Sequence, residues 1–120
     1  MEISYIVPCF NESKNIREVY NQIILANEYS NISDYEIILI NDFSNDNTLE
    51  IFEDIQKQNK KIIIKNNYKN LGLGRSIKEG LNIANKEYVM YLPGDNCHSS
   101  SEISKMLLEE NNYDILLSYY

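Results

Sequence analysis

Tryptophan is absent from the 120 residues, and cysteine and proline occur only twice each. Cys9 and Cys97 form neither a zinc-ligand spacing nor a disulfide framework. A cystine-stapled secreted module is therefore excluded, and free thiols in a reducing compartment are expected. Basic residues are also scarce: 11 Lys and Arg stand against 18 Asp and Glu, for a net charge of −7 and a pI near 4.6. Such a surface repels phosphate backbones and anionic lipid, so no nucleic-acid partner is expected. No basic leader precedes an apolar core, and Ile3–Val7 is far too short for a signal or a membrane span. The chain therefore reads as cytoplasmic and soluble. There is no linker, internal repeat or low-complexity tract. The missing tryptophan, beside abundant Asn, Ile and Lys, is a compositional bias of the source genome and not a functional signal. The tyrosines are scattered and read as packing residues.

What is present alternates. Ser4–Pro8 is an apolar run stopped by proline, which suits a buried strand. Asn11 or Ser13 is placed to cap a helix whose apolar face is Ile16, Val19, Tyr20, Ile23 and Ile24. Tyr35–Asn41 carries four consecutive aliphatics, the pattern of a strand buried on both faces of a parallel sheet. A second helix follows through Thr48, Leu49, Ile51, Phe52 and Ile55, and then a strand over Lys61–Lys65. Leu73, Ile77, Leu81 and Ala84 predict the buried face of a third helix, before a strand over Glu87–Leu92. Ser99–Ser101 can cap a fourth helix through Ile103, Met106 and Leu107, and Tyr113–Ser118 predicts a fifth strand. Strict alternation implies a Rossmann-like, mostly parallel sheet flanked by helices, with right-handed crossovers. Ending at or just after a strand, the chain reads as the N-terminal part of a longer protein, with residues 1–120 forming a single domain.

Three polar clusters fall at the C-terminal ends of strands: Pro8–Glu12, Asn41–Thr48 and Pro93–His98. Each alone is ordinary turn chemistry. In a doubly wound sheet, however, all three share one edge, where ligands bind, and each holds a carboxylate: Glu12, Asp42 and Asp95. The glycines at 72, 74 and 80 are neither a dinucleotide fingerprint nor a phosphate-binding P-loop, because Ile77 takes the third glycine position and no Gly-Lys-Ser/Thr follows. They can shape a tight helix entry and let the helix pack closely on the sheet. Alternatively, they can present Arg75 at a helix N-terminus to a phosphate.

Taken together these residues resemble the nucleotide-binding part of GT-A glycosyltransferases of family 2. Ile6-Val7-Pro8-Cys9-Phe10-Asn11-Glu12 matches the family's opening VPxxNE, and Asn41-Asp42-Phe43-Ser44-Asn45-Asp46-Asn47-Thr48 its DDxSxDxT segment. Asn70-Leu71-Gly72-Leu73-Gly74 with Gly80 and Ala84 is similar to the NxGxGxA…G…A helix of polyprenyl-phosphate sugar synthases. Tyr88–Asp95 stands where a strand leads into the DxD motif.

The resemblance implies a nucleotide-sugar domain of a truncated inverting transferase using a UDP- or GDP-sugar. The acceptor it implies is a polyprenyl (lipid) phosphate or a cell-surface glycan, at the cytoplasmic face of the membrane in a full-length protein. It implies that Pro8, Phe10 and Glu12 border the nucleoside, that Asp42 bonds base or ribose, and that Gly94 and Asp95 belong to the nucleotide-sugar site, to which Arg75 is added by its place at a helix N-terminus. Asp95 would hold Mg²⁺ or Mn²⁺, and the catalytic base is expected beyond Tyr120. Asn41 replaces the first Asp of the DD pair, and Pro93 replaces the first Asp of DxD. Asn96, Cys97 or His98 stands near enough in sequence to compensate, although by itself His98 reads as a polar loop histidine and Cys97 as a buried small residue. A non-catalytic, degenerate nucleotide-sugar-binding domain is the alternative that Pro93 supports. A receiver-type signalling domain lacks its acidic pair and lysine here, and a sugar-nucleotide-forming nucleotidyltransferase lacks its Arg-bearing glycine loop after the first strand.

Overall fold

The aliphatic run Ile37–Ile40 can be buried on both sides only in the interior of a sheet covered on both faces, and it is fully buried. The computed structural model describes residues 1–109 and 112–117. Its elements are β1 (Glu2–Cys9), α1 (Ile16–Tyr29), β2 (Asp34–Asn41), α2 (Thr48–Gln58), β3 (Ile62–Asn66), α3 (Leu73–Ile83), β4 (Tyr88–Tyr91) and α4 (Ser100–Leu107). The four strands are parallel in the order β3-β2-β1-β4, the α/β architecture expected from the alternation. β2 and β3 grow to one side of β1 and β4 is added on the other, so the winding reverses at β1. A crevice outside the carboxyl ends of β1 and β4 follows from that reversal.

Alternate residues of the strands sort the core. Ile3, Tyr5, Val7 and Cys9 of β1 join Ile37 and Leu39 of β2 under α1, α2 and α4. Ile6, Ile38 and Ile40 face the other way, toward α3. Ser99 caps α4 as expected, in a reciprocal capping box with Glu102. Pro8 is tolerated inside a central strand because the ladder with β4 has ended: its last bond runs from Leu92 N to Ile6 O. On the α3 face Ser4 Oγ donates to Glu36 Oε1 (2.6 Å), which also accepts from Asn85 N (2.9 Å). This buried pair anchors the α3–β4 connection to the sheet.

Three expectations are corrected. Neither Asn11 nor Ser13 caps α1; the helix starts at Ile16 after Asn15, which makes no side-chain cap. Of the expected face of α3, Ala84 packs on the sheet and Ile77 is half-buried, but Leu73 and Leu81 are exposed. Ser76 and Gly80 are buried instead, with Ile83 and Ala84 packed on Ile6, Ile38 and Ile40. The cause is close approach: a Cβ on Gly80 would lie 2.5 Å from Ile6 Cγ2 and 3.0 Å from Ile40 Cδ1, so only the small-residue face fits there. Leu73 and Leu81 are left 56% and 51% exposed. Finally, residues 113–117 form no strand, and Ser118 lies outside the described residues. Their apolar pattern suits a ladder, but among the described residues β4 pairs with β1 alone, and Ile115 and Leu117 are exposed. The outer edge of β4 opens instead on an apolar cavity of about 590 Å³ lined by Tyr88, Met90, Met106 and Leu116, among others.

Candidate functional site

Adjacent strand ends launch two loops that are tied to each other. The β1–β2 ladder runs one step past Cys9, where Asp42 N donates to Cys9 O at 2.9 Å. Asn11 then takes φ +54°, a left-handed geometry that Asn tolerates. Its Oδ1 accepts from Asn45 N at 2.7 Å. In return Asn11 N donates to Ser44 Oγ (3.0 Å), Glu12 N to Thr48 Oγ1 (3.0 Å) and Ser13 N to Asp46 Oδ2 (3.2 Å). The polar residues after β2 thus stitch the loops together, and Glu12 O receives the amides of Asn15 and Ile16 to start α1.

Burial pushes the Asp46 carboxyl up, but bonds from Thr48 and Ser13 outweigh it and hold the group below the ordinary carboxylate range. A depressed folded-state pKa contributes stability above the unfolded value of about 4, lost as pH falls through the folded value. The melting temperature should therefore fall on acidification below pH 4. Asp46→Asn should melt lower than wild type at pH 7 and approach it as the pH falls below the ordinary carboxylate range. Parallel curves across that range would mean Asp46 contributes no pH-linked stability.

Asp42 sits one layer lower, 5% exposed. Its Oδ1 accepts from Leu71 N (2.7 Å) and Asn67 Nδ2 (3.1 Å), and its Oδ2 from Gly72 N (2.9 Å). The carboxylate therefore clamps the entry to α3, where Gly72 has φ +86°, a conformation natural to glycine. Asn41 has the same kind of role, donating from Nδ2 to Asn66 Oδ1 at 2.8 Å and accepting from Ser44 N at 3.1 Å.

The crevice itself, about 370 Å³, gathers Pro8, Phe10 and Glu12 from the end of β1 with Gly94 and Asp95 from beyond β4. Leu73, Tyr91, Pro93 and Cys97 complete its lining. Gly94 lies flat on β1: a Cβ there would be 2.4 Å from Cys9 Sγ and 3.2 Å from Pro8 O. Asp95 is exposed, and its Oδ1 accepts from Cys97 N at 3.2 Å. Asp42 and Arg75 do not line the crevice; Arg75 Nε pairs with Glu79 Oε1 at 3.5 Å, one turn along α3.

Cys97, expected to be a buried small residue, is exposed, whereas Cys9 is buried. Burial, then the charges of Glu12, Asp46 and Asp95, drive the Cys9 thiol far above its ordinary pKa, so it is no nucleophile. His98 is also not an open loop histidine. Its side chain is only 12% exposed, with Nδ1 3.9 Å from Glu102 Oε2, and it lines the cavity at the edge of β4. Burial, then Asp95 and Cys97, raise the pKa of the Tyr91 phenol, which stays protonated at neutral pH.

Among the described residues no three His, Cys, Asp or Glu side chains cluster as a metal cage. The crevice offers two carboxylates, the exposed one of Asp95 and the half-buried one of Glu12. That suits a hard divalent cation shared with phosphate oxygens, which needs only one or two carboxylates, and does not suit an all-protein site.

Sequence reasoning missed Leu73, Tyr91 and Asn67. Leu73 and Tyr91 were read as packing residues, and Asn67 had no local signal, since its bond to Asp42 spans 25 positions.

The sequence profile described as Glycosyl transferase family 2 matches residues 4–118. An uncharacterized protein of Methanocaldococcus jannaschii is 34% identical over 116 residues, 91% of this chain and 48% of that one. Poly-beta-1,6-N-acetyl-D-glucosamine synthase of Staphylococcus epidermidis is 38% identical over 93 residues, 78% of this chain and 21% of that one. The crystal structure of S. aureus TarS 1-349 in complex with UDP-GlcNAc superposes with a TM-score of 0.74 at 25% identity, covering 92% of this chain and 31% of that one. The chain thus spans about half, or less, of the length of these proteins. With a profile matched across nearly all of its residues, the chain belongs to glycosyltransferase family 2.

Proposed function

We propose that this chain forms the donor site of an inverting glycosyltransferase that takes a sugar from a UDP- or GDP-sugar. The observation that carries the reading is the crevice at the winding reversal, where Pro8, Phe10, Glu12, Gly94 and Asp95 meet from separate loops. The likeness to a structure holding UDP-GlcNAc, and to a polysaccharide synthase, supports it. Phe10 and Pro8 offer apolar contact to the nucleoside, and Glu12 an acceptor for its hydroxyls. Asp42 acts from beneath by holding the backbone of Leu71 and Gly72, and meets base or ribose directly only by releasing one of those bonds. Arg75 reaches the diphosphate by leaving Glu79.

Asp95 would hold Mg²⁺ or Mn²⁺ together with phosphate oxygens, and such an ion supplies charge neutralisation to the leaving diphosphate. Activation of the acceptor falls to a base outside residues 1–120. The acceptor is a polyprenyl phosphate or a surface glycan, reached at the cytoplasmic face of the membrane. No helix among the described residues is long and apolar enough to cross a membrane.

Calorimetric titration of UDP and GDP, with and without Mn²⁺, tests the reading. One of the two should bind, more tightly with Mn²⁺, and Asp95→Ala should remove the metal-dependent gain of about tenfold, roughly 1.4 kcal/mol. A folded chain that binds neither nucleotide rules out the donor site. Binding indifferent to both Mn²⁺ and Asp95→Ala would favour the second reading, a degenerate nucleotide-sugar-binding domain in which Pro93 marks the loss of metal chemistry.

A further inference from the structure

The net charge of −7 averages two unlike parts of the chain. Residues 57–86 hold eight of the 11 basic side chains and only one of the 18 acidic ones, Glu79. That stretch therefore carries seven surplus positive charges, and the rest of the chain fourteen surplus negative ones. It folds as the end of α2, the edge strand β3, the loop after it, α3 and the turn into β4. β3 borders the sheet and α3 lies alone on one of its faces, so a division in sequence becomes a division in space. The average charge repels anionic surfaces, but this flank does not.

Part of that charge is already answered within the chain. Lys61 and Lys86 share the carboxylate of Asp34, and Arg75 pairs with Glu79. Among the described residues Lys65, Lys69 and Lys78 enter no ion pair. Lys65 is in register with Ile40, which packs against α3 beside Gly80, and register partners point to the same face of a sheet. Lys65 therefore stands on the α3 side. Lys69 is exposed in the loop that enters α3, and Lys78 is exposed on α3 itself. Apolar side chains are interleaved with these lysines. Tyr68, next to Lys69, is 89% exposed, and Leu81, a neighbour of Lys78 one turn along α3, is half-exposed. Ser76 and Gly80 take the close contact with the sheet, which leaves Leu81 facing water.

We propose that this flank, made by β3, the loop after it and the outer side of α3, docks on an anionic lipid bilayer. Lys65, Lys69 and Lys78 meet headgroup phosphates, and Tyr68 and Leu81 enter the boundary between headgroups and acyl chains. Each lysine near an anionic membrane adds attraction that acts over about a Debye length. Apolar side chains set among the lysines add burial that charge alone does not supply. A nucleic acid would satisfy the lysines but leave Leu81 wet, because a phosphate backbone has nothing to offer a leucine. The acidic remainder of the surface also confines contact to one side, as a flat bilayer requires. α3 begins at the crevice, which Leu73 in its first turn lines, so a bilayer lying along α3 passes beside the crevice. The charge division carries this inference independently of the donor-site reading.

Co-sedimentation with phosphatidylcholine vesicles, plain or containing about 30% phosphatidylglycerol, tests the proposal. The chain should bind the anionic vesicles at least about tenfold more tightly than the neutral ones, and about 0.5 M salt should remove most of that preference. Lys69→Glu combined with Lys78→Glu should weaken binding about tenfold. Lys14→Glu combined with Lys105→Glu makes an equal change of net charge beside α1 and on α4, across the sheet from α3, and should weaken it less than about twofold. Leu81→Ser should cost about threefold with no change of charge. All five side chains are exposed, so melting temperatures should stay within about two degrees of wild type. No preference for anionic vesicles, or equal losses in the two lysine pairs, overturns the docking surface. Tighter retention by single-stranded RNA than by anionic vesicles, unchanged in Leu81→Ser, overturns it in favour of a nucleic acid. Nucleotide titrations read the donor site separately, so failure of either reading leaves the other standing.

Discussion

Replacing Asp42 by alanine is expected to lower the unfolding free energy by about 3 kcal/mol and the melting temperature by about 12 °C. The carboxylate is buried and accepts three N–H groups, from Asn67, Leu71 and Gly72. A buried donor left without its acceptor costs about 1–3 kcal/mol, more when the lost acceptor is charged. Water can reach the partly buried amides of Leu71 and Gly72 once the side chain is gone, so the three losses do not sum to the maximum. Asn67 is out of reach of water and keeps only the longer bond from its Nδ2 to Ser76 Oγ, at 3.3 Å. It is itself buried, and its Oδ1 is already without a partner. Asp42→Asn keeps one acceptor oxygen but turns an NH₂ toward the remaining donors, so it should recover less than half of the loss. Denaturant and thermal unfolding of both variants check this. An alanine variant melting within about 2 °C of wild type would show that the clamp contributes little. Nucleotide affinity, measured well below the melting transition, should fall too, because Leu73 is carried on the turn that Asp42 holds.

That prediction separates what was legible in the sequence from what was not. Strand and helix alternation was legible because the period of apolar residues changes from element to element, and the four consecutive aliphatics of β2 announced a parallel sheet. The alignment of Glu12, Asp42 and Asp95 along one edge followed from the same topology. What Asp42 does there was not legible, since it depends on partners 25 to 30 positions away. The face of α3 was misread for a related reason. Helical periodicity reports where apolar residues lie, but the choice of buried face went to the closest fit, and Gly80 against Ile6 fits more closely than any leucine can. Leu73 then became available to the crevice. The fifth strand failed on pairing: an apolar run needs a partner edge as well as a pattern.

The glycine of the Pro93-Gly94-Asp95 turn carries the other large expectation. Gly94→Ala should destabilise the chain by about 2–3 kcal/mol and weaken nucleotide binding about tenfold, because the added carbon overpacks a site with no slack. A Cβ there would stand 2.4 Å from Cys9 Sγ, 3.2 Å from Pro8 O and 3.3 Å from Glu12 Cγ. Backbone oxygen in a central strand cannot retreat, and the thiol is buried in the core cluster, so the turn itself must lift away and take Asp95 with it. The severest contact is nevertheless with one atom, the sulfur. Cys9→Ala alone should cost about 1 kcal/mol through the small cavity it leaves. In the double variant the cavity and the new methyl meet, so the two losses should fall short of their sum by at least 1 kcal/mol, a coupling expected only of residues in contact. Nucleotide affinity should return in the same double variant, since the turn can settle back onto β1. Strictly additive losses would mean that the turn is displaced by Pro8 O and Glu12, not by the thiol. Recovery of both stability and affinity would instead place Cys9, chemically inert as it is, among the residues that fix the position of Asp95.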